Sequence, residues 1–167
     1  TLTISADDFL AMRIARGAMD ADTLAAVTEA AGRYAALRAA IRMLGAGQCS
    51  RRRLYEKLRA RRITDADATF AVDTVYAKGY IDEDWQLRSY IRTLTAQKQY
   101  GPRKLYAALA AKGYRGDDIR RAMDENFGAE EIRAARRVFL EKKFGKTVPE
   151  TRDEAAAMRQ ALYKQGF

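Results

Sequence analysis

The first fourteen residues, TLTISADDFLAMRI, alternate. Leu2 and Ile4 are separated by a polar residue, and Leu10, Met12 and Ile14 repeat the spacing. Period two predicts strands, with Ala6, Asp7 and Asp8 as the turn between them, so a β-hairpin is the reading for this segment. A helix from Ser5 is the rival, because Ser-Ala-Asp-Asp has the form of a capping box. An isolated hairpin is marginal in water and is expected to pack on a helix. That helix follows at once. Asp20 or Asp22 can cap it. Leu24, Val27, Ala30, Ala31, Tyr34, Leu37, Ile41 and Leu44 fall on one stripe, and Gly45-Ala46-Gly47-Gln48 ends it.

Past residue 33 the pattern is written again. ALRAAIRML (36–44) aligns with QLRSYIRTL (86–94), which sets Leu37, Arg38, Ile41, Arg42 and Leu44 against Leu87, Arg88, Ile91, Arg92 and Leu94. With one residue inserted, Ser50, Leu54, Tyr55, Leu58 and Ile63 match Gly101, Leu105, Tyr106, Leu109 and Tyr114. A third copy opens with Ile132, Arg133 and Arg137. It continues with Met158, Leu162, Gly166 and Phe167 in the places of Leu105, Leu109, Gly113 and Tyr114. Self-similarity at a fixed period predicts a repeat architecture. The expected fold is mostly α: tandem three-helix repeats in an elongated curved array, with a short N-terminal β-hairpin and linker helix.

The boundaries follow from the alignment. Residues 1–33 hold the hairpin and the start of the long helix. Repeat one spans 34–82, repeat two 83–127, and an incomplete repeat three 128–167. Ser50 and Gly101 stand at helix N-caps, and Pro102 stands at the first helical position, where its missing N–H costs nothing. Third helices are expected to be capped near Asp65 or Asp67, and near Gly116 or Asp117. The third repeat stops where its third helix is due. The natural chain is therefore expected to run past Phe167, and Met158 and Leu162 of helix 151–165 to lack part of their cover.

Charge changes the picture next. Lys and Arg number 31 against 22 acids, a net of +9. Residues 1–33 carry three Arg and five acids, −2, so the helical body carries +11. Arg51, Arg52, Arg53, Lys57, Arg59, Arg61 and Arg62 face only Glu56, and Arg103, Lys104, Lys112 and Arg115 face no acid in their segment. Charge repeated in register, with Arg88 and Arg92, predicts one extended basic face for an anionic partner. A solvated surface is the plain reading of any single Arg. Tyr34, Tyr55 and Tyr106 lie beside core leucines and read as core or groove walls. Trp85 reads as an interface anchor or a half-buried core residue, and Cys49 as a small loop or pre-cap residue.

The exclusions are broad. The chain has no His and one Cys, so it forms no internal disulfide and no Cys/His zinc site. It carries no phosphate-binding loop, nucleophile elbow or dinucleotide fingerprint. No catalytic residues, metal or cofactor are expected. No apolar run approaches the ~20 residues that span a bilayer, and no signal segment is visible. A cytoplasmic, non-enzymatic protein with no membrane contact is the expectation.

The sequence KGYIDEDWQLRSYI (78–91), followed by YGPRKLYAALAAKGY (100–114), resembles the RecX family of RecA regulators. The likeness covers about residues 34–167. It rests on Gly79, Tyr80, Ile81, Asp82 and Glu83, then on Gly101, Pro102, Leu105, Leu109, Lys112, Gly113 and Tyr114, with the three-fold repeat. The family usually places an aromatic where this chain has Gln86, with Trp85 one position earlier. The resemblance implies curved arrays of three-helix modules lying in the groove of the RecA–DNA filament. It implies dampened ATP hydrolysis, strand exchange and co-protease activity in DNA repair and the SOS response. The implied partners are the RecA filament and, weakly and electrostatically, single- or double-stranded DNA, bound by a monomer. The competing reading is a free-standing DNA-binding protein with helix-turn-helix-like modules.

Overall fold

Ser5 decides the N-terminus. Its Oγ accepts from the Asp8 amide at 3.0 Å and donates to the Asp8 carboxylate at 2.6 Å, a reciprocal cap that starts a helix. The structure, a computed structural model, describes residues 1–14, 17, 19–145 and 147–167, and among them there are nine helices and no strand. The expected β-hairpin is therefore corrected to a short helix, α1 (Ala6–Ala11). The alternation lost because a local cap satisfies backbone N–H groups at once, whereas a two-stranded ribbon has no third strand to lean on.

The other helices are α2 (Ala21–Ala46), α3 (Arg51–Ala60), α4 (Asp65–Ala77), α5 (Glu83–Lys98), α6 (Pro102–Ala111), α7 (Gly116–Asn126), α8 (Ala129–Phe144) and α9 (Arg152–Gln165). They fall into two compact units, residues 1–82 and 83–167. Caps refine the expectations. Asp20 caps α2 by accepting from the Thr23 amide at 2.7 Å, and the same bonds hold its carboxyl below the ordinary range. Thr64, not Asp65 or Asp67, caps α4, while Arg115 precedes α7 without a side-chain cap.

In the first unit, α2 packs on α4 through small residues. Ala36, Ala39 and Ala40 meet the cluster that holds Ala68, Ala71, Val72 and Val75, with Leu54 and Leu58 of α3 fully buried beside them. Alanine seams let helix backbones approach closely. The expected stripe on α2 is corrected at two positions: Leu24 is 51% exposed and Ile41 46%. Five alanines, together with Val27, Met43 and Leu44, hold that face.

In the second unit, Leu87, Ile91, Leu105, Leu109 and Ile119 form the centre of the core. Gln86 lies inside at 3% exposure, its Oε1 accepting from the Tyr114 hydroxyl at 2.6 Å, while Trp85 stands 56% exposed. The departure at Gln86 is thus a buried amide matched to a phenol. Met158 and Leu162 are also buried, at 4% and 7%, against Phe139, Leu140, Phe144 and Phe167. The expected lack of cover over α9 is corrected accordingly. Burying two such side chains stabilises on the order of 1.5–3 kcal/mol each.

The end of α9 reaches the start of α6. The Gly101 amide donates to the Gln165 carbonyl at 2.9 Å, and the Arg103 amide donates to the Gly166 carbonyl at 3.1 Å. The Gln165 side chain donates to the Gln99 carbonyl at 3.1 Å. A Cβ at Gly101 would collide with the Gly166 carbonyl group, so the approach needs glycine.

Helices α3, α6 and α9 end alike. Ile63, Tyr114 and Phe167 donate their amides to the Leu58, Leu109 and Leu162 carbonyls at 3.4, 3.5 and 3.0 Å, a Schellman closure. The residue before each has positive φ: Gly113 at 88°, Gly166 at 95°, and Arg62 at 62°. Two of the three positions use glycine, which has no Cβ to clash there, and the first uses arginine.

Two outcomes are expected. Gly101→Ala should push α9's end from α6 and destabilise the second unit by about 1–3 kcal/mol; urea unfolding that matches the parent would refute the tight approach. Arg62→Gly should stabilise the first unit by up to about 1 kcal/mol, by relieving left-handed strain. A midpoint that falls instead would mean that the Arg62 side chain outweighs the strain.

Candidate functional site

The basic residues do not form a uniform set once their neighbours are placed. On α3, Leu54 and Leu58 turn inward, which sends the cations outward. Glu56 holds two of them, Arg53 Nη1 at 3.0 Å and Arg52 Nε at 3.1 Å. Those two hydrogen bonds, from Arg53 first, keep the Glu56 carboxyl below the ordinary carboxylate range. The Arg51 guanidinium lies 4.1 Å over the Tyr76 ring, and Arg59 donates to the Ile63 carbonyl at 2.5 Å. Lys57, Arg61 and Arg62 are exposed and make no ion pair among the described residues. Tyr55, half-buried, donates to the Asp65 carboxylate, which raises its phenol pKa.

In the second unit, tyrosines hold the cations. Arg103 stacks 4.0 Å over Tyr163 and donates to the Tyr163 carbonyl at 2.6 Å. Lys104 lies 4.5 Å over Tyr100 and donates to Gln165 Oε1 at 3.1 Å. Both therefore clamp the end of α9 to α6. Lys112 lies 4.2 Å over Tyr90. Each such contact contributes about 0.5–1 kcal/mol at exposed sites, so the cation is anchored but keeps its charge. Arg88 and Arg92 on α5, and Arg115 before α7, are exposed without an ion pair among the described residues.

One cation of the same surface escaped the sequence reading. Arg42, on the last turns of α2, borders the same groove as Lys57 and Arg61 of α3. Its signal was present, since the repeat sets Arg42 in register with Arg92. Among the described residues, no group of three or more acidic, Cys or His side chains could hold a metal, and no helix is long and apolar enough to cross a membrane. The arrangement offers charge and shape for binding.

No family model matches the chain. Curated relatives do. A Regulatory protein RecX of Thermus thermophilus is 34% identical over 102 residues, 61% of this chain and 70% of the relative. The chain belongs to the RecX family. A Regulatory protein RecX of Geobacillus thermodenitrificans is 25% identical over 167 residues, which is 99% of this chain; the chain spans 62% of that relative's length. The fold agrees as well. A crystal structure of regulatory protein RecX superposes with a TM-score of 0.83 at 21% identity, over 98% of this chain and 81% of the other. That of RecX from Lactobacillus salivarius gives 0.70 at 17%, over 81% and 88%.

The division of the cations has a direct test. Glu56→Gln should release Arg52 and Arg53 together, and phosphate contacts dominate salt-sensitive binding to polyanions. The variant should elute from immobilised heparin at higher salt than the parent. Elution at the same salt would show that the two arginines face no polyanion even when released.

Proposed function

We propose that this chain is a negative modulator of RecA. It binds in the groove of the RecA–DNA filament and dampens ATP hydrolysis, strand exchange and co-protease activity, and so acts in DNA repair and the SOS response. The observation that carries the reading is membership of the RecX family. Charge supports it. Lys57, Arg61 and Arg62 in the first unit, and Arg88, Arg92 and Arg115 in the second, are exposed and open to an anionic partner. A nucleoprotein filament offers phosphates and acidic side chains in one groove, and a basic surface suits both.

In this reading, residues 34–82, 83–127 and 128–167 act as successive modules of one binding protein, preceded by 1–33. Arg51, Arg52, Arg53, Arg59, Arg103, Lys104 and Lys112 contribute charge from anchored positions, and the exposed cations make the direct contacts. No covalent chemistry is asked of the bound protein, which acts in the cytoplasm as a monomer. Inhibition is steric and biases protomer spacing, and contacts with naked DNA are weak and salt-sensitive.

The test is RecA's ATPase on single-stranded DNA, titrated with the chain. Substoichiometric protein should lower the rate, because one molecule spanning protomers blocks more than one. Arg88→Glu with Arg92→Glu should raise the concentration needed, with little loss of stability, since exposed charges contribute little. An unchanged rate and filament length at equimolar protein would end this reading. Tight, RecA-independent DNA binding would favour a free-standing DNA-binding protein instead.

A further inference from the structure

A groove of about 630 Å³ opens between the last turns of α2 and α3. Its walls come from Arg42, Met43 and Ala46 on α2 and from Lys57, Ala60 and Arg61 on α3. Helical spacing explains the grouping: Arg42 and Ala46 are four apart, as are Lys57 and Arg61, so each pair shares one face of its helix. The result is a floor of one thioether and two methyls with three cations around it. Met43 is buried from its other side by the core of the first unit, while Ala46 and Ala60 are exposed.

Two features make this more than a solvated surface. No acid lines the groove, although acids are available nearby on α3 and α4, and Arg42, Lys57 and Arg61 make no ion pair among the described residues. Three like charges around a low-dielectric floor raise the local positive potential and attract an anion. The floor itself is apolar, and methionine adapts its shape to whatever covers it.

The same features select among anionic partners. Single-stranded nucleic acid is gripped by aromatic platforms on which bases stack, and none of the six lining residues is aromatic. Both helices bring their C-terminal turns here, the negative pole of the helix dipole, which disfavours any anion on the floor and leaves anions to the cations at the rim. Carboxylates on flexible side chains can instead meet the cations at the rim while an apolar side chain fills the centre.

We propose that this groove binds an acidic peptide segment of a protein partner, with an aliphatic residue of the segment seated on Met43, Ala46 and Ala60 and its carboxylates paired with Arg42, Lys57 and Arg61. The inference deepens the reading above and rests on it only in taking the partner to be a protein assembly.

Fluorescence anisotropy with the whole chain tests it without RecA. The probes are a labelled peptide of alternating glutamate and leucine, a glutamate-only peptide with the same number of carboxylates, and oligothymidylate. The glutamate–leucine peptide should bind about tenfold more tightly than the glutamate-only one, the worth of one seated aliphatic side chain. Lys57→Glu with Arg61→Glu should weaken it by about tenfold or more. Ala46→Gln with Ala60→Gln, at exposed helical positions, should block the floor while keeping every charge, and should bring the two peptides to equal affinity. Circular dichroism on each variant confirms the fold. Equal binding of the two peptides to the parent chain would overturn the proposal. So would oligothymidylate that displaces the peptide and loses affinity with the same rim reversals, which would make the groove a nucleic-acid site. Peptide binding with RecA's ATPase untouched would leave this groove standing and remove the RecA reading; the reverse pair of results would do the opposite.

Discussion

A backbone hydrogen bond from a residue two or three positions past the end of α3, α6 and α9 to the carbonyl of a core leucine holds the plan of this protein. Leu58, Leu109 and Leu162 accept it from Ile63, Tyr114 and Phe167. Closing it requires the intervening residue in the left-handed region, and closing it turns the next side chain back onto the leucine. Ile63 then packs on the first core, Tyr114 lies in the second, and Phe167 joins both clusters of the second unit. In the first two cases the same turn aims the chain into the next helix. One local geometry thus stops a helix, seals a core and sets a direction. Repeating the words Leu, small or left-handed residue, apolar residue at fixed spacing repeats the fold.

High positive charge is compatible with this fold because much of it is held. Glu56 gathers two arginines on α3. Tyr76, Tyr90, Tyr100 and Tyr163 each carry a cation on the ring face. Neighbouring like charges repel, and fixing them over rings or a shared carboxylate spaces them out while leaving the net charge intact. The cations left outside this scheme are the ones with geometry to spare for a partner. Arg62 stands among them at a position where glycine would be easier, so the first unit carries both a strained residue and an exposed charge at one point.

Legibility in the sequence followed the range of the interactions. Core pairs such as Leu54 with Leu58, and Leu105 with Leu109, were readable because helical spacing alone places them. The N-terminal alternation misled, since Leu2 to Ile14 has period two while Ser5 and Asp8 satisfy the backbone locally, and the local bonds prevailed. The alanine seam of α2 was only partly visible, because a hydrophobic stripe points to large residues such as Leu24 and Ile41, whereas helices that approach closely select small ones. The basic face was readable as composition but not as a site. Which arginine meets Glu56 depends on helical register, and which meets Tyr163 depends on a segment sixty residues away. Arg42 was within reach, since the repeat sets it in register with Arg92, but its place beside Lys57 and Arg61 is tertiary.

Ser50 and Gly101 occupy one position in the repeat and solve one problem in two ways. A helix start leaves amide donors without partners. At α3, the Ser50 hydroxyl accepts from the Arg53 amide at 3.3 Å, a solution contained within one turn. At α6 there is no side chain to do this, and Pro102 removes one donor outright. The Arg103 amide is met by the Gly166 carbonyl, and the Gly101 amide by that of Gln165. The missing side chain at Gly101 is what lets those carbonyls come near. Arg103 and Lys104 then complete the clamp through Tyr163 and Gln165. The start of α6 and the end of α9 are therefore one cooperative element: each supplies what the other lacks, and neither is satisfied alone. A serine cap would have made α6 self-sufficient and removed this contact, leaving α9 held by the burial of Met158 and Leu162.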